Sequence, residues 1–295
     1  SVLKIKHKID EKEKTTYSEE QIQQVQDLLR NCRFIIHDEV HHSAAITSQT
    51  ILKEINNADY KIGLSGTPWR NTGDSILLEA SFGPVIYKKT ASDLIQKKYL
   101  TQPKISFIQY SDSEKEILFP INDKSENYNK VYKQCIVDNE EYNMMVANLA
   151  ILNTDKNRSI LISVKHVEHG KNLIKAFEKY NNPYEVIFLH GNSKEKYIDE
   201  SLKRFKSKDL KILISTIMDE GVDISSLDVA INAGAGSSAI KMIQLVGRVL
   251  RNHPGKKFAY VYDFIHPYSY LFGQSKKRIE ILQTEPEFLI KLVKL

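Results

Sequence analysis

The chain has 295 residues, a hydrophobic share of 41% and a formal net charge of +5. That is enough apolar material for ordinary packed cores and, as a soft prior, for two domains. No apolar run approaches the length of a membrane span, and the charged start Ser1-Val2-Leu3-Lys4 leads into no apolar signal core, so no membrane partner is expected. Cys32 and Cys135 make neither a disulfide framework nor a metal cluster; they read as thiols of a reducing, intracellular protein, cytoplasmic or, in a eukaryote, nuclear. The modest positive charge permits a polyanion partner without demanding one. The lysine-rich start and the run Lys276-Lys277-Arg278 read as solvated faces.

In chain order, residues 18–30 predict a helix: Ser18 and Gln21 have capping-box spacing, and Ile22, Val25 and Leu29 share an apolar face. The run 34–36 predicts a short buried strand that ends in Asp38-Glu39-Val40-His41. Residues 60–64 predict a second strand, ending in Ser65-Gly66-Thr67-Pro68, and 91–99 a helix. From 104 to 145 the texture turns polar, which predicts an interdomain connection. Beyond it strands (160–164, 186–189, 211–215, 229–232, 258–264) alternate with helices (166–180, 193–206, 239–251). This alternation predicts βαβ units and a mostly parallel sheet. The tail, 266–295, reads as helical. The expected domains are thus 1–103, 104–145 as connection, 146–265, and 266–295 as tail.

Two adjacent carboxylates, Asp38 and Glu39, at a strand's carboxyl end are costly unless they meet something charged. The chemistry that suits them is nucleotide hydrolysis, with Asp38 acting on Mg²⁺ and Glu39 on a water. On the helix 239–251, Gln244, Arg248 and Arg251 fall at i, i+4 and i+7 and predict one phosphate-recognising face. Thr216, Gly221 and Asp223 follow the strand 211–215, again at a carboxyl end. His37, His41 and His42 lack the spacing of a zinc site. Trp69 suits base stacking or plain packing, and Arg70 a phosphate contact or plain exposure.

The ordered set DEVH, SGTP, the strand at 160–163, Thr216 with Glu220-Gly221-x-Asp223, and QLVGRVLR resembles the superfamily 2 helicases, most of all the XPB and UvsW type. The resemblance implies two RecA-like parallel-sheet domains, with ATP between them and nucleic acid across both. DNA is the implied partner, with RNA left open. It also implies roles. Asp38 would hold Mg²⁺ through water, Glu39 would be the general base, and His41 would link the γ-phosphate to the Ser65/Thr67 loop. Ser65 and Thr67 would couple ATP state to closure. Gly221 and Asp223 would lie near the nucleotide and Thr216 on the nucleic acid backbone. Gln244, Arg248 and Arg251 would reach the γ-phosphate.

One departure counts against a full set. The family's phosphate loop, G-x-x-x-x-G-K-[ST], should precede Asp38, yet neither Gly170-Lys171 nor Gly255-Lys256 fits it. The sequence therefore predicts an incomplete first domain, with the missing segment supplied by a parent chain, and poor ATP hydrolysis by these residues alone. The motor subunit of a restriction endonuclease and a nucleic-acid-binding module with a vestigial ATP site stay open as alternatives.

Overall fold

The computed structural model describes residues 18–43, 46–55, 57–66, 75–217, 224, 226–236 and 238–294. The chain divides into two units, Ser1–Lys88 and Lys89–Leu295.

In the first unit, helix α1 (Glu19–Arg30) starts on the expected capping box. Ser18 Oγ accepts from the Gln21 amide at 3.2 Å, and Gln21 Oε1 accepts from the Ser18 amide at 3.0 Å. Strands β1 (Phe34–His37) and β2 (Tyr60–Gly63) pair in parallel, Phe34 opposite Tyr60 and His37 opposite Gly63. Helix α2 (Ile46–Glu54) connects them, and α3 (Ser75–Phe82) follows. The strand expected to be buried is not: Phe34 is 51% exposed and Ile36 55%. Parallel strands become buried only where neighbours cover both faces. Among the described residues the packed side holds Leu29, Val40, Leu52 and Ile55, while Phe34 and Tyr60 meet each other at the open surface.

The second unit is built on seven parallel strands in the order β5-β6-β4-β7-β8-β3-β9. These are β3 (Pro103–Gln109), β4 (Ile160–Ser163), β5 (Val186–Leu189), β6 (Ile212–Ser215), β7 (Val229–Asn232), β8 (Ala259–Ile265) and β9 (Leu289–Lys294). The helices are α4 (Ala91–Gln96), α5 (Ser113–Leu118), α6 (Tyr128–Tyr132), α7 (Glu140–Thr154), α8 (Val167–Lys179), α9 (Glu195–Lys206), α10 (Ala239–Val249) and α11 (Leu271–Gln283). Alternate strand residues serve opposite faces. Ile160, Ile162, Ile212 and Ile231 pack on α7 and α8, whereas Leu161, Leu213 and Ala230 pack on α9 and α10.

Two expectations are corrected here. Residues 104–145 are not a bare connection. Strand β3 lies between β8 and β9, and Val131, Cys135 and Ile136 are fully buried. The polar runs at 111–116 and 122–127 dominate the pattern of this stretch, and the short apolar strand before them, with Ile105 and Phe107 buried, was not expected. The tail is not simply helical either. It carries α11 and then β9, an edge strand parallel to β3.

Arg278, expected in solvent, is 1% exposed. Its Nε and Nη2 donate to the fully buried Asp263 carboxylate at 2.7 and 2.9 Å. Its Nη1 donates to the Gly236 carbonyl at 2.5 Å, and Nη2 also reaches the Phe264 carbonyl at 3.0 Å. One guanidinium thereby joins α11, β8 and the loop that enters α10, a use of all its forked donors that a lysine cannot copy.

Candidate functional site

In the first unit the acidic turn grows directly out of β1. The Val40 amide donates to the Leu64 carbonyl and the Leu64 amide to the His37 carbonyl, both at 2.9 Å, which carries the β1–β2 pairing past the strand ends. Glu39 sits in the left-handed region, at φ 48, and turns the chain into a 3₁₀ turn at Val40–His42. A Cβ on Gly63 would stand 2.8 Å from Val40 Cγ2, so the turn packs flush on β2. Asp38 is exposed, and its Oδ1 accepts from the Glu39 amide at 2.8 Å. His41 is 3% exposed, with Nδ1 lying 3.0 Å from Ser65 Oγ and 3.3 Å from Glu39 Oε2. The fold thus gathers Glu39, His41 and Ser65 and turns Asp38 outward. The expected residues Thr67, Trp69, Arg70, Gly221 and Asp223 lie outside the described residues.

Asp38 suits a hard cation that keeps most of its water. It is an exposed oxygen donor, and among the described residues no cluster of three His, Cys, Asp or Glu could enclose a metal. Mg²⁺ is commonly held in this way, by one or two carboxylates together with substrate phosphates.

In the second unit, two of the three residues expected on one helix face, Gln244 and Arg248, lie within helix α10. Helix α10 ends at Val249, and Arg251 falls beyond it, in an isolated antiparallel bridge with Leu100. Arg248 is 7% exposed, whereas Gln244 lines a cavity. The helix stops where Lys256 caps it. The lysine Nζ donates to the carbonyls of Val249, of Leu227 (2.5 Å) and of Arg251 (3.1 Å). Burial lowers its pKa to about 8. In the sequence, Lys256 stood out only as half of a Gly-Lys pair, with no role at the end of α10. The only available signal was a basic side chain just past a helix end, a common capping device.

The cavity has a volume of about 380 Å³ and opens at the carboxyl ends of β4, β6 and β7, at Ser163, Thr216 and Asn232. Its floor is tightly made. The Ala233 and Gly234 amides donate to the Ser163 carbonyl at 3.0 and 2.9 Å, and the Tyr132 hydroxyl donates to the Gly234 carbonyl at 2.7 Å. A Cβ on Gly234 would lie 2.9 Å from the Lys165 backbone nitrogen and 3.2 Å from Val164. Backbone cannot swing aside as a side chain can, so Gly234→Ala is expected to cost about 1–3 kcal/mol, read as a lowered thermal midpoint. An unchanged midpoint would mean that the two loops are not pressed together. Two buried atoms on the cavity wall, Gln244 Nε2 and Gln274 Oε1, have no hydrogen-bond partner among the described residues.

The parallel sheet, with its loop cluster at the strand ends, defines a RecA-like α/β protein. The family model described as helicase conserved C-terminal domain matches residues 141–253, and that of the type III restriction enzyme res subunit matches residues 4–70. The ATP-dependent DNA helicase uvsW of Enterobacteria phage T4 is 26% identical over 78% of this chain and 45% of its own length. The DNA 3'-5' translocase XPB2 of Sulfurisphaera tokodaii is 24% identical over 74% of this chain and 55% of its own. The crystal structure of T4 UvsW superposes with a TM-score of 0.52 at 23% identity, covering 92% of this chain and 55% of that one. A fragment ascribed to the HsdR subunit of a type I restriction enzyme from Vibrio vulnificus gives 0.65 at 18%, covering 94% and 51%. These matches together support a superfamily 2 helicase of the XPB/UvsW type. It spans about half the length of the curated relatives it matches.

Proposed function

We propose that these residues form part of an ATP-dependent helicase or translocase acting on DNA. The observation that carries this reading is the His41–Ser65 contact of 3.0 Å, which ties the acidic turn to the loop after β2. In a motor, such a contact can pass the state of a bound nucleotide from the Asp38/Glu39 turn to the next loop. Glu39 orients and deprotonates the attacking water; Asp38 would hold Mg²⁺; Arg248 and Arg251 neutralise the transferred phosphoryl group. When bound, the metal neutralises charge on the β- and γ-phosphates. Gly221 and Asp223 belong to the nucleotide side. Thr216, Thr67, Trp69 and Arg70 belong to the nucleic acid and coupling side. Phosphate contacts make DNA binding dependent on salt and largely independent of sequence. The relatives named as a DNA helicase and a DNA translocase favour DNA over RNA. Among the described residues no helix is long and apolar enough to cross a membrane; an intracellular site of action is part of this proposal. So is the assignment of residues 1–103 and 146–265 to the two motor domains.

No phosphate-loop motif occurs in these 295 residues. The backbone amides and lysine that cradle the phosphates are therefore proposed to come from a segment outside them, and the chain by itself is expected to turn over ATP poorly. DNA-stimulated ATP hydrolysis by the purified chain checks this. Turnover within tenfold of ordinary enzyme rates (about 10 per second) that Glu39→Gln abolishes would contradict the outside cradle while supporting the base. In a chain that carries the loop, Glu39→Gln is expected to lower turnover by about 10²–10⁴-fold. The restriction-enzyme likeness of residues 4–70 favours one second reading, a motor subunit of a restriction endonuclease. DNA cleavage by a complex containing this chain would distinguish it.

A further inference from the structure

The outer side of α7 runs against the charge of the chain as a whole. The net charge is +5. Yet an open cleft of about 670 Å³ beside α7 is lined by Glu140, Glu141, Met144, Met145, Asn148 and Tyr180, with no lysine or arginine in the lining. Lys179 pairs with Glu140, whereas Glu141 has no ion pair among the described residues. Met144 and Met145 are half-buried and pack on the core, and Tyr180 is 39% exposed. Methionine is unbranched and polarisable, which suits a surface that receives another apolar surface. Along the helix the outer stripe runs Glu141, Met145, Asn148, Leu152, Asp155. The steps alternate four and three, the seam along which a second helix packs. Met145 is half-buried and the other four residues are exposed, Leu152 by 50%. Carboxylates stand at the two ends of the stripe, about 20 Å apart at the rise of a helix, with the apolar side chains between them. Asp155 caps the carboxyl end of α7, where the helix dipole disfavours a carboxylate. The stability of α7 therefore does not explain its charge. The Tyr184 hydroxyl donates to Asp155 Oδ1 at 2.7 Å and holds the carboxylate in place.

We infer that this face of α7 docks a basic amphipathic helix of a partner protein. Its apolar side lies on Met144, Met145, Leu152 and Tyr180, and its lysines or arginines meet Glu141 and Asp155. Spacing selects a helix; charge selects a basic one. A polyanion is repelled by the carboxylates. A second copy of the chain is repelled as well. Paired in either direction, the stripe sets carboxylate against carboxylate, because both of its ends are acidic. Helix α7 packs on the sheet face opposite α10. The surface is thus separate from Gln244 and Arg248, and the inference does not rest on the nucleotide or nucleic-acid reading.

The test uses the full chain and a dye-labelled synthetic helix of leucine and lysine, about four turns long, followed by fluorescence anisotropy. The same helix with glutamate in place of lysine is the control. The leucine–lysine helix is expected to bind and the leucine–glutamate helix not to. Tyr180→Ala is expected to weaken binding about tenfold or more, the size of an interface anchor. Glu141→Lys is expected to weaken it about tenfold at low salt and by less at high salt. Glu141→Lys combined with Asp155→Lys is expected to accept the leucine–glutamate helix instead, a gain that unfolding cannot imitate. In methionine-methyl NMR the leucine–lysine helix should shift Met144 and Met145. It should leave Met242, 2% exposed on the opposite face of the sheet, where it was. Equal affinity for the two helices, Met144 and Met145 signals that stay in place, or no binding up to about 1 mM would overturn the site. Shifts of Met144 and Met145 that grow on concentrating the chain alone would overturn the partner helix in favour of a second copy.

Discussion

Arg278→Met is expected to destabilise the second unit by about 3–5 kcal/mol, the cost of leaving a buried charge without its partner. The Asp263 carboxylate is fully buried, and among the described residues the Arg278 guanidinium is the side-chain cation that pairs with it, at 2.7 and 2.9 Å. The same replacement strips a donor from the Gly236 and Phe264 carbonyls. The loss therefore extends to the loop that leads into α10 and forms part of the cavity wall. Amide hydrogen exchange in β8 and α11, together with urea unfolding, measures it. Asp263→Asn with Arg278→Met is expected to recover a good part of the loss, because the uncompensated charge is gone. A single Arg278→Met within about 0.5 kcal/mol of the unaltered chain, the range of an ordinary surface change, would refute the account.

The second large effect is acid sensitivity between pH 6.5 and pH 5. His266 is fully buried among Tyr142, Tyr110, Phe264 and Tyr268, with ring centroids 5.0, 6.2, 6.2 and 6.1 Å away. His169 is equally buried, against Tyr142 at 6.2 Å, and neither imidazole has a hydrogen-bond partner among the described residues. Burial pushes both pKa values down to about 3, and nearby positive groups, His166 for one and Arg278 for the other, add to the effect. In the unfolded chain both titrate near 6.5. Below pH 6.5 the unfolded state binds protons that the folded state refuses, so stability falls as pH falls, down to about pH 3. At pH 5 the loss is about 2 kcal/mol for each histidine. His166, also lowered chiefly by burial, acts in the same direction. Asp228 and Glu168, both lowered, lose their stabilising contribution only at more acidic pH, as the solution passes below the ordinary carboxylate range. The upper window therefore isolates the histidines. Thermal midpoints at pH 7 and pH 5 should converge in His266→Phe and His169→Phe relative to the unaltered chain. Identical pH slopes in all three proteins would show that the two rings are not held neutral in the core.

Much of the architecture was readable from local pattern. The Ser18–Gln21 capping box, the strands at 186–189 and 229–232 and the helices around them lie where periodicity placed them, because each depends on residues a few positions apart. The acidic turn was readable for the same reason: Asp38 and Glu39 follow the last residue of β1 without a gap. The boundaries of α10 were less so. Two guanidiniums at helical spacing suggested one face. Lys256, five residues beyond Arg251, ends the helix early by taking the Val249 carbonyl and sends Arg251 into a bridge with Leu100. Propensity along the helix contains no trace of a cap supplied from a later loop.

By itself, the sequence determined the α/β class, the order of the strands along the chain and the motif set that marks the superfamily 2 helicases. All of these are written in short-range spacing. Only the tertiary structure decided that β3 lies between β8 and β9, that Arg278 is a buried tie and not a solvated charge, and that Tyr128, Lys165, Gln244 and Gln274 share one cavity. These residues are far apart in the chain, and no period links them. What brings them together is the burial of both faces of a parallel sheet, which pulls the segment before β4 and the segment after β8 onto the same carboxyl end.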